Sequence, residues 1–286
     1  MKRWMVCALL ALAVTLLSAQ QAPSTNDPYK PTLDRLESLT TLPLPDWRFH
    51  ADVPHPEDPS FDDSSWETVR VGDKWSTGPR VLRRWIEIPE KINGYAVQGA
   101  RAKLDLRFDF NWNNKGPVTI AVFSNGSLVS RGDDDMQQPI PLTENAQPGQ
   151  KFLIAVRIGA PDVEAQFHHA QLTIEPAAER PDPAMLRMEI LAARPMIVAY
   201  EEGRAKRQQQ LDAAVKAIDF SPLDKNDLAS FDASLRQSQS KLQSLNPWLK
   251  QFTVRAVGNS HIDMAWLWPW TEAASCIQRN PDSSQS

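Results

Sequence analysis

Leu104-Asp105-Leu106-Arg107-Phe108 alternates apolar and charged side chains without a break. Successive side chains of an extended strand point to opposite faces, so this period of two marks one buried face and one wetted face. The run extends over Ala102 to Phe110. Around it lie further short apolar stretches: Val81 to Ile88, Val118 to Phe123, Phe152 to Ile158 and Ala170 to Ile174. Asn125-Gly126 and Pro148-Gly149 mark tight turns between them. Short strands punctuated by turns predict an all-β domain over residues 47–178, a sandwich of two antiparallel sheets.

The character changes at Arg180-Pro181-Asp182-Pro183. Asp182 suits a helix N-cap and Pro183 its first turn. Met185, Met188, Ile190, Leu191, Ile197 and Val198 supply an apolar face, and Pro195 predicts a kink among them. A second amphipathic helix is expected from Leu228 to Leu245, where Leu228, Phe231, Leu235, Leu242 and Leu245 recur at helical spacing. The charged stretch Glu201 to Arg207 reads as a solvated helix face or turn. Residues 179–250 thus form a helical connector. Upstream, residues 20–46 are polar and proline-bearing, a lead-in with a short helix at Leu33 to Ser38.

Residues 1–19 have the form of a signal peptide. Lys2 and Arg3 give a positive start, Trp4 to Leu17 an apolar run too short for a comfortable membrane span, and Ser18-Ala19 a small-residue exit. The expectation is export, to the periplasm or the outside, with no membrane attachment after cleavage. Cys7 falls in the removed segment, so the mature chain keeps Cys276 alone and its stability rests on packing without an internal disulfide. A hydrophobic content of 42% is enough for a substantial core. A net charge of -4 gives no electrostatic ground for nucleic acid as a partner. Ten tryptophans against three tyrosines is an unusual balance, and indoles serve both sandwich cores and sugar stacking.

Phe252 to Val257 reads as a buried strand running into Gly258-Asn259-Ser260-His261-Ile262-Asp263. Ligands of open α/β sheets sit beyond the carboxyl ends of strands. His261 and Asp263 are two apart, so on an extended exit both point the same way and can converge on one ion. A nitrogen and a hard oxygen suit zinc or a similar divalent metal, and a catalytic zinc needs at least three protein ligands. Spacing alone also fits a surface histidine beside a turn aspartate. Residues 251–272 read as the start of an α/β catalytic domain, and residues 273–286 as a polar tail that does not continue it.

The longer stretch Val257-Gly258-Asn259-Ser260-His261-Ile262-Asp263-Met264-Ala265-Trp266-Leu267-Trp268-Pro269-Trp270-Thr271-Glu272 resembles the opening of the catalytic domain in glycoside hydrolase family 38, the α-mannosidases. The resemblance implies that His261 and Asp263 are zinc ligands and that Trp266 lines a mannose pocket. It also implies retaining hydrolysis of α-mannoside glycans by a nucleophilic Asp and a second carboxylic acid. Those catalytic groups lie further along the family's chain, so none is expected among these 286 residues. Ala273 to Asn280 departs from the family pattern as a frameshift or premature stop would, and the isolated chain is expected to be inactive. The fold class expected is therefore α+β and multidomain: β-sandwich, helical connector, and the first strand of a truncated α/β domain.

Phe61-Asp62-Asp63-Ser64-Ser65-Trp66-Glu67, Trp75 and Arg84-Trp85-Ile86-Glu87-Ile88-Pro89 are similar to the jelly-roll sugar-binding domain at the front of many glycosidases. Trp66, Trp75 and Trp85 are candidates for sugar stacking, with core or seam packing as the other use. His168-His169 argues against a metal pair, since strand neighbours point to opposite faces. Asn125-Gly126-Ser127 is a formal glycosylation sequon. The alternative to an α-mannosidase is a secreted carbohydrate-binding module without catalysis. A different exported metallohydrolase fits poorly with Trp266, Trp268 and Trp270 around Pro269.

Overall fold

A computed structural model describes residues 27–76, 78–111, 118–132, 139–159 and 164–253. The chain divides into two units, Met1–Gln243 and Ser244–Ser286.

The first unit holds thirteen described strands: β1 (Thr41–Pro43), β2 (Asp46–Ala51), β3 (Glu67–Arg70), β4 (Lys74–Trp75), β5 (Arg80–Glu87), β6 (Lys91–Ile92), β7 (Tyr95–Ala96), β8 (Arg101–Phe110), β9 (Thr119–Ser124), β10 (Ser127–Gly132), β11 (Ile140–Thr143), β12 (Lys151–Gly159) and β13 (Ala165–Glu175). All pair antiparallel. One sheet runs β1-β13-β8-β11, with β4 also on β13; the other runs β10-β9-β12-β5-β2-β3; β6 and β7 form a hairpin. The lead-in is regular in part, since β1 lies within residues 20–46 and pairs Thr41 with Thr173.

The sandwich closes on the alternation read from the sequence. Leu104, Leu106, Phe108 and Phe110 of β8 enter one core with Ile120 and Val122 of β9 and Ile154, Val156 and Ile158 of β12. Burying each such side chain contributes about 1.5–3 kcal/mol. Trp47 is 1% exposed, meets Phe167 edge to face and donates its indole N–H to the Leu44 carbonyl at 2.9 Å, so its one polar group is satisfied.

One expectation about β13 is corrected. Its ladder with β8 slips between Phe167 and His169, so Phe167 pairs with Phe108 while His169 pairs with Arg107. The extra residue, His168, is a β-bulge that breaks strict alternation. Phe167 and Ala170 both stay buried, and both histidines face outward. His168 lies 2.8 Å from the Asp109 carboxylate and His169 3.7 Å from that of Asp105.

The helices are α1 (Lys30–Ser38), α2 (Pro183–Ala199), α3 (Arg204–Lys216), α4 (Ser221–Asp224) and α5 (Leu228–Leu242). Asp182 caps α2 by accepting the Ala184 N–H at 2.8 Å, and the helix continues through Pro195. Its buried stripe is Leu186, Ile190, Ala193 and Ile197. Met185, Met188 and Val198, expected on the apolar face, are exposed instead: the packed side faces α1, α3 and α5, and these residues lie off it. The charged stretch turns at Gly203, in the left-handed region at φ 68°, and then opens α3. Tyr95 ties the sandwich to these helices, donating to the Pro181 carbonyl at 2.7 Å and meeting Phe231 edge to face. Arg180 stacks 4.1 Å above Tyr95 and grips both carboxylate oxygens of Asp232.

In the second unit, the described residues form a short helix, α6 (Asn246–Leu249), with the Trp248 ring set edge-on to Phe252. No helix among the described residues is long and apolar enough to cross a membrane.

Candidate functional site

His261, Asp263 and Trp266 lie outside the described residues. Among those that are described, no group of three His, Cys, Asp or Glu side chains converges to hold a metal ion. The outward His168 and His169 pair with the carboxylates of Asp109 and Asp105.

The three tryptophans proposed for stacking separate cleanly. Trp66 is 7% exposed, stacked on His50 at 5.0 Å and met edge to face by Phe61 at 5.5 Å. Trp75 packs against Phe49 and Phe108 at the edge of the core. Trp85 alone of the three presents a face to solvent, at 50% exposure. An indole left half bare on a sheet face forgoes much of the burial its area would give, which sets it apart from the other two.

Trp85 stands on the outer face of the six-stranded sheet, opposite in phase to the core residues Leu82 and Ile86. One end of that face is roofed by the segment 52–66, held by two arginines. Arg83 donates to the carbonyls of Phe61 (3.0 Å) and Asp58 (2.9 Å) and to the Asp63 carboxylate (2.6 Å), and it faces the Phe61 and Trp66 rings. Arg157 binds Asp52 at 2.7 Å and the Val53 carbonyl at 2.6 Å. Within the roof, Asp58 and Asp62 each accept the backbone N–H two residues on, at Ser60 and Ser64. Those bonds hold both carboxyls below the usual carboxylate range.

Beside Trp85 the sheet opens. The β2–β5 ladder runs from Ala51/Arg80 to Arg48/Arg83 and stops there, while β2 stays paired to β3 as far as Asp46/Arg70. A hollow of about 500 Å³ lies at this fork, lined by Asp46, Trp47, Arg48, Asp63, Thr68, Arg70, Arg83, Arg84 and Trp85. A second hollow of about 430 Å³ that Trp85 also lines has Glu87 and Lys151 on its wall, the two ion-paired at 3.3 Å. Arg84 follows the core phase of β5 yet stays out of the core cluster, its guanidinium donating to the Asp46 carbonyl. Burial pulls its pKa down from the ordinary arginine value, opposed in part by the Asp46 charge.

The arrangement is an indole shared by two hollows of small-ligand size, each carrying charged side chains at its wall. Arg48, Arg70, Arg84 and Lys151 escape a reading along the sequence because they come from different strands. The available signal was the pair Arg83-Arg84, set between Val81-Leu82 and Trp85-Ile86 in one strand.

No family model matches the chain, and no curated protein matches it. Solved structures do. A glycosyl hydrolase family 2 member from Bacteroides cellulosilyticus is similar at 17% identity and TM-score 0.38, over 48% of this chain and 20% of its own. A β-glucuronidase of Bacteroides uniformis gives 17% and 0.37, over 48% and 18%. That of Faecalibacterium prausnitzii gives 15% and 0.33, over 47% and 31%. This chain thus spans about a fifth of the first two structures' length, and all three neighbours are glycoside hydrolases.

Proposed function

We propose that the chain is the glycan-recognising part of an exported glycoside hydrolase, and that its β-sandwich, a jelly roll in this reading, holds saccharide at Trp85. The observation that carries the proposal is a half-bare indole on a sheet face that lines two hollows edged by charged side chains. A pyranose has an apolar C–H face and a hydroxyl rim. The face stacks on the indole while the rim reaches the flanking donors and acceptors. Titrating the chain with mannan oligosaccharides should change its tryptophan fluorescence, and Trp85→Ala should remove binding with the thermal transition little altered. Binding unchanged in Trp85→Ala would reject the site.

The finer reading is an α-mannosidase of glycoside hydrolase family 38, supported by the sixteen-residue resemblance from Val257 to Glu272. In it His261 and Asp263 supply two zinc ligands, Trp266 lines the mannose pocket, and zinc when bound orients sugar hydroxyls. Two ligands fall short of the three a catalytic zinc requires, so the chain by itself should hold zinc weakly and release nothing from an aryl α-mannoside. Release abolished by His261→Ala, or stoichiometric zinc by elemental analysis, would overturn that expectation. The same Trp85 site serves the second reading, a secreted carbohydrate-binding module without catalysis.

A further inference from the structure

We infer that the saccharide held at Trp85 carries an oxyanion, seated in the fork between β2 and β5 by Arg48 and Arg84; the inference rests on the glycan-binding reading above. The fork is lined by four guanidinium groups and two carboxylates. Both carboxylates are engaged: Asp46 with Arg70 at 3.0 Å, and Asp63 with Arg83 at 2.6 Å. Among the described residues Arg48 and Arg84 form no ion pair. Arg48 donates to the Trp66 carbonyl at 3.3 Å and Arg84 to the Asp46 carbonyl. Four guanidinium groups against two carboxylates leave the hollow with an excess of two positive charges, and Arg48 and Arg84 are the two without a salt bridge, on a chain whose net charge is -4.

Recognition of a neutral sugar calls for acceptors as well as donors, because each hydroxyl both gives and takes a hydrogen bond. Apart from the Thr68 hydroxyl, the fork's polar side chains that form no ion pair are donors only. A planar guanidinium matches a carboxylate, phosphate or sulfate with two parallel bonds, and such charge-assisted bonds are about twice as strong as neutral ones. The half-buried setting that lowers the pKa of Arg84 also reduces screening, so an arriving anion acts strongly there. The far hollow differs, since Glu87 and Lys151 neutralise each other. The site is therefore directional, with the charged ring of the ligand at the fork and a neutral ring beyond the indole.

The test is calorimetric titration of the whole chain with four probes: α-mannotriose, α-mannotriose 6-phosphate, trigalacturonate and inorganic phosphate. At least one charged trisaccharide should bind about tenfold or more tighter than the neutral one, the worth of one charge-assisted bond. That preference should vanish in Arg48→Gln and in Arg84→Gln, persist in Arg48→Lys, and shrink in high salt. Circular dichroism identifies a misfolded Arg84→Gln, and the more exposed Arg48→Gln then decides. Equal affinity for neutral and charged trisaccharides would overturn the anion preference while leaving the Trp85 site standing. No binding of any trisaccharide would remove both. Inorganic phosphate binding as tightly as the sugar phosphate would show an anion site without saccharide recognition, which also overturns the inference.

Discussion

Arg83 and Trp85 are two apart on one strand face, yet their substitutions should have opposite consequences. Arg83 is 1% exposed and its charge is met by Asp63 and two backbone carbonyls. Breaking a buried ion pair from one side leaves the partner uncompensated, so Arg83→Ala should cost about 3–5 kcal/mol in urea unfolding. Trp85→Ala removes a side chain that packs on one side only and should cost about 1 kcal/mol or less while abolishing saccharide binding. An unfolding midpoint for Arg83→Ala matching the parent chain would contradict the roof described here. The sequence distinguishes these two residues poorly. Alternation puts both on the solvent face; what buries Arg83 is the roof of residues 52–66, which folds back from outside the strand.

At the scale of elements, β8 was legible because its pattern is local: every second residue meets the same core. The hairpin between β9 and β10 was legible for the same reason. Asn125 and Gly126 both take positive φ, 48° and 84°, as a two-residue turn matched to strand twist requires. The structure adds that the Asn125 side-chain oxygen accepts the Leu153 N–H at 2.8 Å, tying the turn to β12. Asn125→Ala loses that bond and a residue tolerant of left-handed geometry, and should cost about 1–3 kcal/mol by thermal melting. Asn125→Asp keeps the acceptor and should recover most of it. The β13 bulge was not legible, since the pairing of His168-His169 depends on the register against β8. The face of α2 was misjudged for a related reason: Met185 and Leu186 are both apolar, and only packing partners choose between them.

For the whole molecule, the switch from strands to helices near residue 180 was visible in composition and periodicity. Of the candidate site only Trp85 was, because the rest gathers residues from β2, β3, β5 and β12, and strand order is not written in the sequence. Acid sensitivity should follow the ties that join distant segments. Burial pushes the Asp27 carboxyl up, but its bonds to Arg194 and the Tyr29 N–H outweigh that and hold it below the ordinary value. In Glu175 the hydrogen bond from Lys103 leads, with Arg101 adding to it, and the net direction is the same. With folded-state pKa values lowered, the unfolded chain takes up protons first. Stability from these pairs is full above about pH 4–5 and is lost as pH falls through the depressed folded values. Asp27→Asn should therefore flatten the acid limb of a stability-against-pH curve; an unchanged slope would count against the tie. The lead-in has a consequence for anyone trimming the protein. A recombinant sandwich begun at Trp47 would lose β1 and α1, baring the backbone of β13 at Gln171–Thr173. Strand edges left open in this way recruit one another, so the shortened version should come out of expression as insoluble aggregate, whereas one begun at Asp27 should stay in solution.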